Sequence, residues 1–404
     1  MQVSVVRPGE LGCAELATWR SMQRGTPSLG NPFLCPEFAV AVGKFRSDAR
    51  VAVLTDGPRI AGFFPFEKRR FGVGVPIAAG LTDFQGMVYA PGAEWDPREL
   101  LRACRVSIWK FDHLVADQRP FERYQAVTAP SPFMDLSEGF DAYQAKLRVK
   151  APKFCKTMSY KARKLGRDVG EIQFVLDSPD HATLRTLMTW KSDQYRRTGR
   201  VDRFDQPWIV ELIDYLFAAR SDGFSGMLSI LYAGGVPVAG HFGMCFDRVL
   251  VGWFPAYDRR FHRYSPGLIQ HLRMAEDVAA AGVHQIELGK GAKDYKESLK
   301  SGDSFVAEGI VTGRSPLAAA HWARWAPSQW AVRQVREHPP LFHAADQMLE
   351  YYGRIRSSLR PPPQQPQQRD LLSRRRAACH GVCHRSDTCG RFFTTLLSTP
   401  GRMS

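Results

Sequence analysis

Between residues 241 and 296 the sequence places a carboxylate, a histidine, two tyrosines and a lysine, types that serve as general bases, proton donors and partners of anions. Group transfer through a developing anion needs a base for the nucleophile, donors for the negative charge and alignment of both reactants. Glu287 closes a short apolar run and could be the general base if burial raises its pKa. His241, inside Ala-Gly-His-Phe-Gly-Met, is the alternative base, or a satisfied core histidine. Glu287 is preferred because the ends of strands in open α/β sheets are where ligands lie. Tyr264 and Tyr295 could protonate a leaving group, and Lys296 could neutralise phosphate or oxyanion charge. Trp253, Tyr257 and Asp258 stand at the end of another apolar run, where they could position an acceptor; Asp258 could equally cap the turn that follows.

These residues need elements to hold them. Arg248 to Tyr257 is apolar, aromatic and β-branched and reads as a buried strand. Ser265-Pro266-Gly267 then opens a helix, with Ser as N-cap and Pro at the first helical position. Leu268, Leu272, Ala275 and Ala279 give that helix one apolar face. Gly282 ends it, and Val283 to Leu288 read as a second strand running into Gly289-Lys290-Gly291. Two parallel strands joined by one helix could hold an anion, with free N–H groups at Gly267, Leu268 and Ile269 pointing at a phosphate, or Ser-Pro-Gly could be no more than a good cap on a unit that binds nothing.

The run from Trp253 to Lys296, with Pro-Ala-Tyr-Asp, Tyr-Ser-Pro-Gly, an amphipathic helix, a short strand, Gly-Lys-Gly and Asp-Tyr-Lys, resembles the GNAT-type acetyltransferase family of bacterial cellulose and exopolysaccharide biosynthesis. Fem-type peptidyltransferases are that family's more distant relatives. The resemblance spans about residues 25–312 and is strongest over 240–296. It implies an α/β protein of two GNAT-like halves, each a mixed central sheet flanked by helices. It also implies an acyl-CoA donor, acetyl-CoA first, whose pyrophosphate is held by the backbone of Tyr264, Ser265, Pro266, Gly267 and Leu268. The family often has Asp where Glu287 stands, and the Q/R-x-x-G-x-G/A pattern of the best-known GNAT enzymes is absent.

The rest of the chain fits this reading. Its 404 residues, 44% hydrophobic and 11% aromatic, are globular in composition, and no apolar stretch is long enough to span a membrane. The N-terminus has no basic end followed by an apolar run, and single scattered cysteines read as reduced, so a cytoplasmic protein is expected. Helix-rich entries followed by two-strand meanders occur twice, at Val51–Thr55 with Ile60–Phe66 and at Met227–Ala233 with Val236–Phe246. That repetition sets a degenerate first half at 1–140, carrying Gly80-Leu81-Thr82-Asp83 and Asp96-Pro97 in place of the Tyr-Ser-Pro-Gly loop, and an acyltransferase half at 141–315. An amphipathic helical extension follows at 316–359 and a disordered basic tail at 360–404. The tail supplies +6 of a formal +15, and its Cys-x3-Cys-x5-Cys spacing matches no usual zinc knuckle, so no metal is expected.

Gln144 to Arg167 holds nine Lys or Arg and no acid. It could serve phosphates, an anionic membrane surface or nucleic acid, or simply be a solvated helix face. Trp190, Tyr195, Arg196 and Arg197 follow on a predicted helix that could line the acceptor side. The expected function is therefore acyl-CoA-dependent N- or O-acyl transfer to a sugar, amino sugar or envelope or exopolysaccharide precursor. A Fem-type transferase using aminoacyl-tRNA and a non-catalytic scaffold in polysaccharide synthesis are the alternatives. Nucleic acid is expected only in the first of these, and peripheral membrane contact is open in all.

Overall fold

The computed structural model describes residues 1–291 and 294–316, with 318, 319, 321 and 323. Expectations for the helical extension beyond residue 323, and for the tail from 360, lie outside the described residues. The chain opens with β1 (Gln2–Val6), α1 (Cys13–Arg24) and α2 (Pro36–Phe45), then runs through β2 (Ala49–Asp56), β3 (Arg59–Lys68), β4 (Val73–Pro76), β5 (Val88–Tyr89), α3 (Pro97–Ala103), β6 (Ile108–Val115) and β7 (Gln125–Asp135). It continues with α4 (Phe140–Lys150), α5 (Pro152–Asp168), β8 (Ile172–Val175), α6 (His181–Arg197), α7 (Pro207–Ala218), β9 (Arg220–Ser221), β10 (Phe224–Ala233), β11 (Val236–Phe246) and β12 (Val249–Tyr257). Last come α8 (Pro266–Ala280), β13 (Gln285–Glu287), α9 (Asp294–Leu299) and β14 (Gly302–Thr312).

Local chemistry accounts for most of these boundaries. The β10–β11 hairpin turns on Gly234 and Gly235, both at positive φ (57° and 76°), as a tight turn that matches the strand twist requires. The basic stretch at 144–167 is not one helix but two, because Pro152 lacks an N–H and cannot continue α4; it starts α5 instead.

All strands join one mixed sheet, in the order β1-β2-β3-β4-β6-β14-β7-β13-β12-β11-β10-β8, with β5 on β3 and β9 on β10. Read inward from either edge, the pairing is the same. From β1 it is antiparallel to β2, β3 and β4, parallel to β6 and antiparallel to β14. From β8 it is antiparallel to β10, β11 and β12, parallel to β13 and antiparallel to β7. Strands β7 and β14 pair with each other at the centre. The two halves therefore share a plan but exchange their last strands: β7 of the first completes the sheet of the second, and β14 does the reverse.

Helices cover both faces. One core packs α1, α2, α6 and α7 over residues of both halves, with Trp19, Phe33, Phe38 and Phe63 joining Leu184, Ile213, Phe242 and Trp253. On the opposite face Met274, Ala275 and Val278 of α8 pack on Leu250 of β12 and Ile286 of β13. Among the described residues no helix is long and apolar enough to cross a membrane, and no group of three or more His, Cys, Asp or Glu could hold a metal ion.

Candidate active site

The two parallel strands of the second half stay together only briefly. β12 pairs with β13 over Val249–Val251 and Gln285–Glu287, while β12 continues to Tyr257. A bulge at Trp253 shifts its register against β11, from Phe242↔Phe254 to Gly243↔Gly252. Beyond Val251 the edge of β12 therefore parts from β13, and Glu287 closes β13 at that point.

Glu287 is buried, 3% exposed. One carboxyl oxygen accepts from Gln285 Nε2 at 2.7 Å, while Oε2 has no hydrogen-bond partner. Burial pushes its pKa up to about 8, against the Gln285 hydrogen bond, and the negative charge of Asp83 adds to the rise. Asp83 comes from the first half, on a loop held to β12 by a hydrogen bond from Trp253 Nε1 to the Leu81 carbonyl (2.9 Å). It lies 3.9 Å from His113 and keeps 32% of its side-chain surface. Crowding by protein raises its pKa too, opposed by His113 and Lys296. Gly289, at φ 77°, makes room for it, since a Cβ there would stand 2.9 Å from Asp83 Oδ2 and 3.9 Å from Lys296 Nζ. Lys296 itself is buried and donates to the carbonyls of Gly289 (2.7 Å) and Lys290 (3.1 Å), so it also braces this turn.

Around this centre, Tyr295 is half-buried, 6.2 Å edge-on from the ring of His271, and burial followed by the Asp83 charge raises its pKa. His271, on the first turns of α8, sits 2.6 Å through Nδ1 from the Gly267 carbonyl. A carbonyl only accepts, so Nδ1 carries the proton and Nε2 is the free lone pair. His241 is fully buried, its ring 6.2 Å from that of His271, and neither of its nitrogens has a partner. Burial, then the neighbouring His271 and Lys191, lower its pKa to about 3. Burial therefore favours the neutral imidazole.

The loop before α8 departs from the expected cap. Ser265 adopts a left-handed backbone (φ 52°, ψ 52°), and its hydroxyl does not cap the helix but accepts from Lys161 Nζ of α5 at 2.7 Å. The N–H groups of Leu268 and Ile269 donate to the Ser265 carbonyl (3.0 and 3.3 Å), so of the three anticipated free donors only Gly267 stays out of the helix ladder. Pro266 is buried in the first turn. The side chain of Tyr264 is buried and bonded through its hydroxyl to Asp168 (2.8 Å), which ties it to α5 rather than to a leaving group. Helix α3 holds the corresponding place in the first half, between a parallel strand pair, and there Asp96 accepts from the N–H groups of Arg98 and Glu99. A carboxylate already fills the anion position of α3, while α8 has no side-chain cap.

The acceptor residues are scattered. Trp253 is a core residue, stacked on Phe254 and edge-on to Phe33 and Phe38, which corrects its expected place at an acceptor. Asp258 caps the turn at 259–264, accepting from Arg260 N–H and guanidinium, so its turn role prevails. Tyr257 is exposed and lies beside Gly267. Trp190 packs against the core. Arg196 is bound to Asp193 and Asp202. Tyr195 and Lys191 of α6 face the Asp83 side: burial takes the Tyr195 hydroxyl up to about 12, and Lys191 donates to the Pro255 carbonyl at 3.0 Å.

Residues 152–297 match the family model of the acetyltransferase (GNAT) domain. No curated protein matches the chain. Among solved structures, FemX shares 10% identity over 77% of this chain and 96% of its own, with a TM-score of 0.50. A tandem GNAT protein from the clavulanic acid biosynthesis pathway shares 10% identity over 78% and 100%, at TM-score 0.45. The C-terminal domain of a putative lysylphosphatidylglycerol synthetase from Agrobacterium fabrum shares 11% identity over 76% and 96%, also at 0.45. The fold is a mixed α/β sheet flanked by helices, shared with FemX, and the GNAT domain match falls on the half that carries Glu287 and α8.

Proposed function

We propose that the chain is an acyl-CoA-dependent N- or O-acyltransferase whose reaction centre is the parting of β12 and β13. The observation that carries this is Glu287: a buried carboxyl with one unpartnered oxygen, at the strand end where the sheet opens, its pKa raised into the range of a base that works near neutrality. The pyrophosphate of the donor would lie at the uncapped start of α8, on Gly267 N–H, with Lys161 beside Ser265 supplying positive charge. Glu287 would take the proton of the acceptor. Tyr295 would stand ready to protonate the thiolate, and Lys296 would hold the Gly289 turn that leaves room for Asp83.

The acceptor we propose is a sugar, an amino sugar or an envelope or exopolysaccharide precursor, held between the second half and the Asp83 loop of the first. A Fem-type transfer from aminoacyl-tRNA is the second reading, favoured by the basic α5 running to the mouth of α8 and by the fold shared with FemX. Calorimetry with a panel of acyl-CoAs, with aminoacyl-tRNA as comparison, separates the two. Saturable binding of an acyl-CoA at micromolar concentration supports the first. Tight tRNA binding that weakens steeply with salt, as counterion release demands, would put the second in its place.

A further inference from the structure

With Glu287 as the base, His241 is left without a task, yet its surroundings are built around it. On β11, His241 follows the alternation that puts Gly243 and Cys245 toward α8, and Gly243 and Gly252 lack side chains where the ring lies. A Cβ on Gly243 would stand 2.7 Å from His241 Cε1, and one on Gly252 would stand 3.3 Å from Nε2 and 3.0 Å from the Glu287 carbonyl. Nε2 therefore faces the strand edge at Gly252, where β12 leaves β13, with the end of β13 beside it. Glu287 reaches the same opening from the other face, because it is the register partner of Val251, whose side chain belongs to the core opposite α8.

The polar atoms around the ring are unpartnered as well. Ser229, directly opposite His241 on β10, has a buried hydroxyl with no partner, and Gln270 of α8, which donates to the Ser229 carbonyl at 3.0 Å, has an unpartnered buried Oε1. Buried polar atoms are rarely left in this state, since each loses its hydration with nothing in return. Ser229 is the cross-strand neighbour of His241 on the same sheet face, and neither ring nitrogen is committed to a partner, so the ring proton is free to sit on Nε2.

We propose that His241 is a catalytic hydrogen-bond donor, its neutral imidazole presenting Nε2–H to the acyl carbonyl oxygen through the opening at Gly252. This rests on the acyl-CoA reading above. The acceptor's lone pair attacks the thioester carbon, and its proton passes to Glu287. The carbonyl oxygen takes the negative charge and is held by Nε2–H; on collapse the C–S bond breaks toward sulfur, and the thiolate takes up one proton, balancing the one lost by the acceptor. An imidazole that stays neutral keeps its donor without adding a charge that would compete with the base.

The test compares acetyl-CoA with S-ethyl-CoA, which lacks the carbonyl oxygen, by calorimetry on the full chain. Wild type should prefer acetyl-CoA at least tenfold. His241→Ala should bind S-ethyl-CoA as wild type does, which shows an intact fold, and lose the preference; His241→Gln, which keeps a donor, should recover part of it. The carbonyl stretch of 13C-labelled acetyl-CoA, read by infrared difference on wild type, should move to lower frequency on binding, a readout that needs no variant to fold. An unshifted stretch, or a preference retained by His241→Ala, overturns the proposal and leaves acyl-CoA binding standing. Absence of any acyl-CoA binding by wild type overturns both.

Discussion

Glu287 is where burial and function make opposite demands. Its carboxyl is easiest to bury protonated, and it acts as a base only ionised. With the folded pKa raised from 4.5 to about 8, the stability it contributes is full below about pH 4.5 and is lost as pH rises through about 8. Turnover should follow the reverse course, climbing through about pH 8 as the base ionises, measured as kcat with saturating acyl-CoA. Glu287→Gln should cut kcat by about a hundredfold or more, the usual worth of a general base, with CoA affinity unchanged. The same variant should melt at a higher temperature than wild type at pH 9 and at nearly the same temperature at pH 5. Wild-type turnover in Glu287→Gln would end the base assignment, while an inverted melting order would mean that the carboxyl is not held in its neutral form. Glu287 could be picked out from sequence because a strand-end acid after an apolar run is a local signal. Asp83 and His271 could not: Asp83 meets Gly289 across some two hundred residues, and His271 looks like one more polar position on an amphipathic helix.

The helix that follows β12 shows how a correct element can carry a misread detail. Pro266, the apolar face of α8 and the terminating Gly282 were all evident in the pattern, and the helix forms where they say. The cap was not, because Ser265 at φ 52° cannot reach the first-turn N–H groups, and its hydroxyl goes to Lys161 of another helix. At its N-terminus α8 also differs from its counterpart α3 in lacking a capping carboxylate. Two substitutions test whether this difference sets the donor site. Gly267→Val adds bulk at the one first-turn donor outside the ladder, where its Cβ would meet only Tyr257 Cδ1 at 3.5 Å. It should weaken CoA binding in calorimetry while the far-UV circular dichroism stays that of wild type; equal affinity would remove the loop from the site. Lys161→Ala should likewise weaken CoA binding, with an effect that shrinks as salt is raised, because a half-buried cation in reach of solvent still acts through a screened field. A salt-independent loss would assign Lys161 to holding the Ser265 loop in place.

At the scale of the molecule, the duplicated order of helices and strands was readable, but the exchange of β7 and β14 was not. Both strands are ordinary apolar and polar mixtures in sequence, and nothing local tells a strand which half it will complete. A cut at residue 140 would therefore separate two plans without respecting the sheet they share. A fragment of residues 1–140 would carry β7 without β13 and β14 on its two sides, leaving eleven residues of strand unpaired, and would leave β6 without the neighbour it has in β14. Residues 141–404 would carry β14 with neither partner and expose β13 on one edge. Unpaired strand edges of this length are open to pairing with other chains. Each fragment expressed alone should be aggregated or unfolded by circular dichroism, and the two expressed together should give a soluble complex. Gly309 offers a milder probe inside the intact chain, since a Cβ there would come 2.0 Å from the Tyr124 carbonyl, so Gly309→Val must push β14 off the first half. Because β14 and β7 pair along their length at the centre of the sheet, the damage should not stay in the first half. Melting followed by the tryptophans of both halves should fall as one transition at a lower temperature. A second half that melts unchanged, or a fragment of 1–140 that folds cooperatively by itself, would show that the exchanged strands decorate two independent sheets rather than join them.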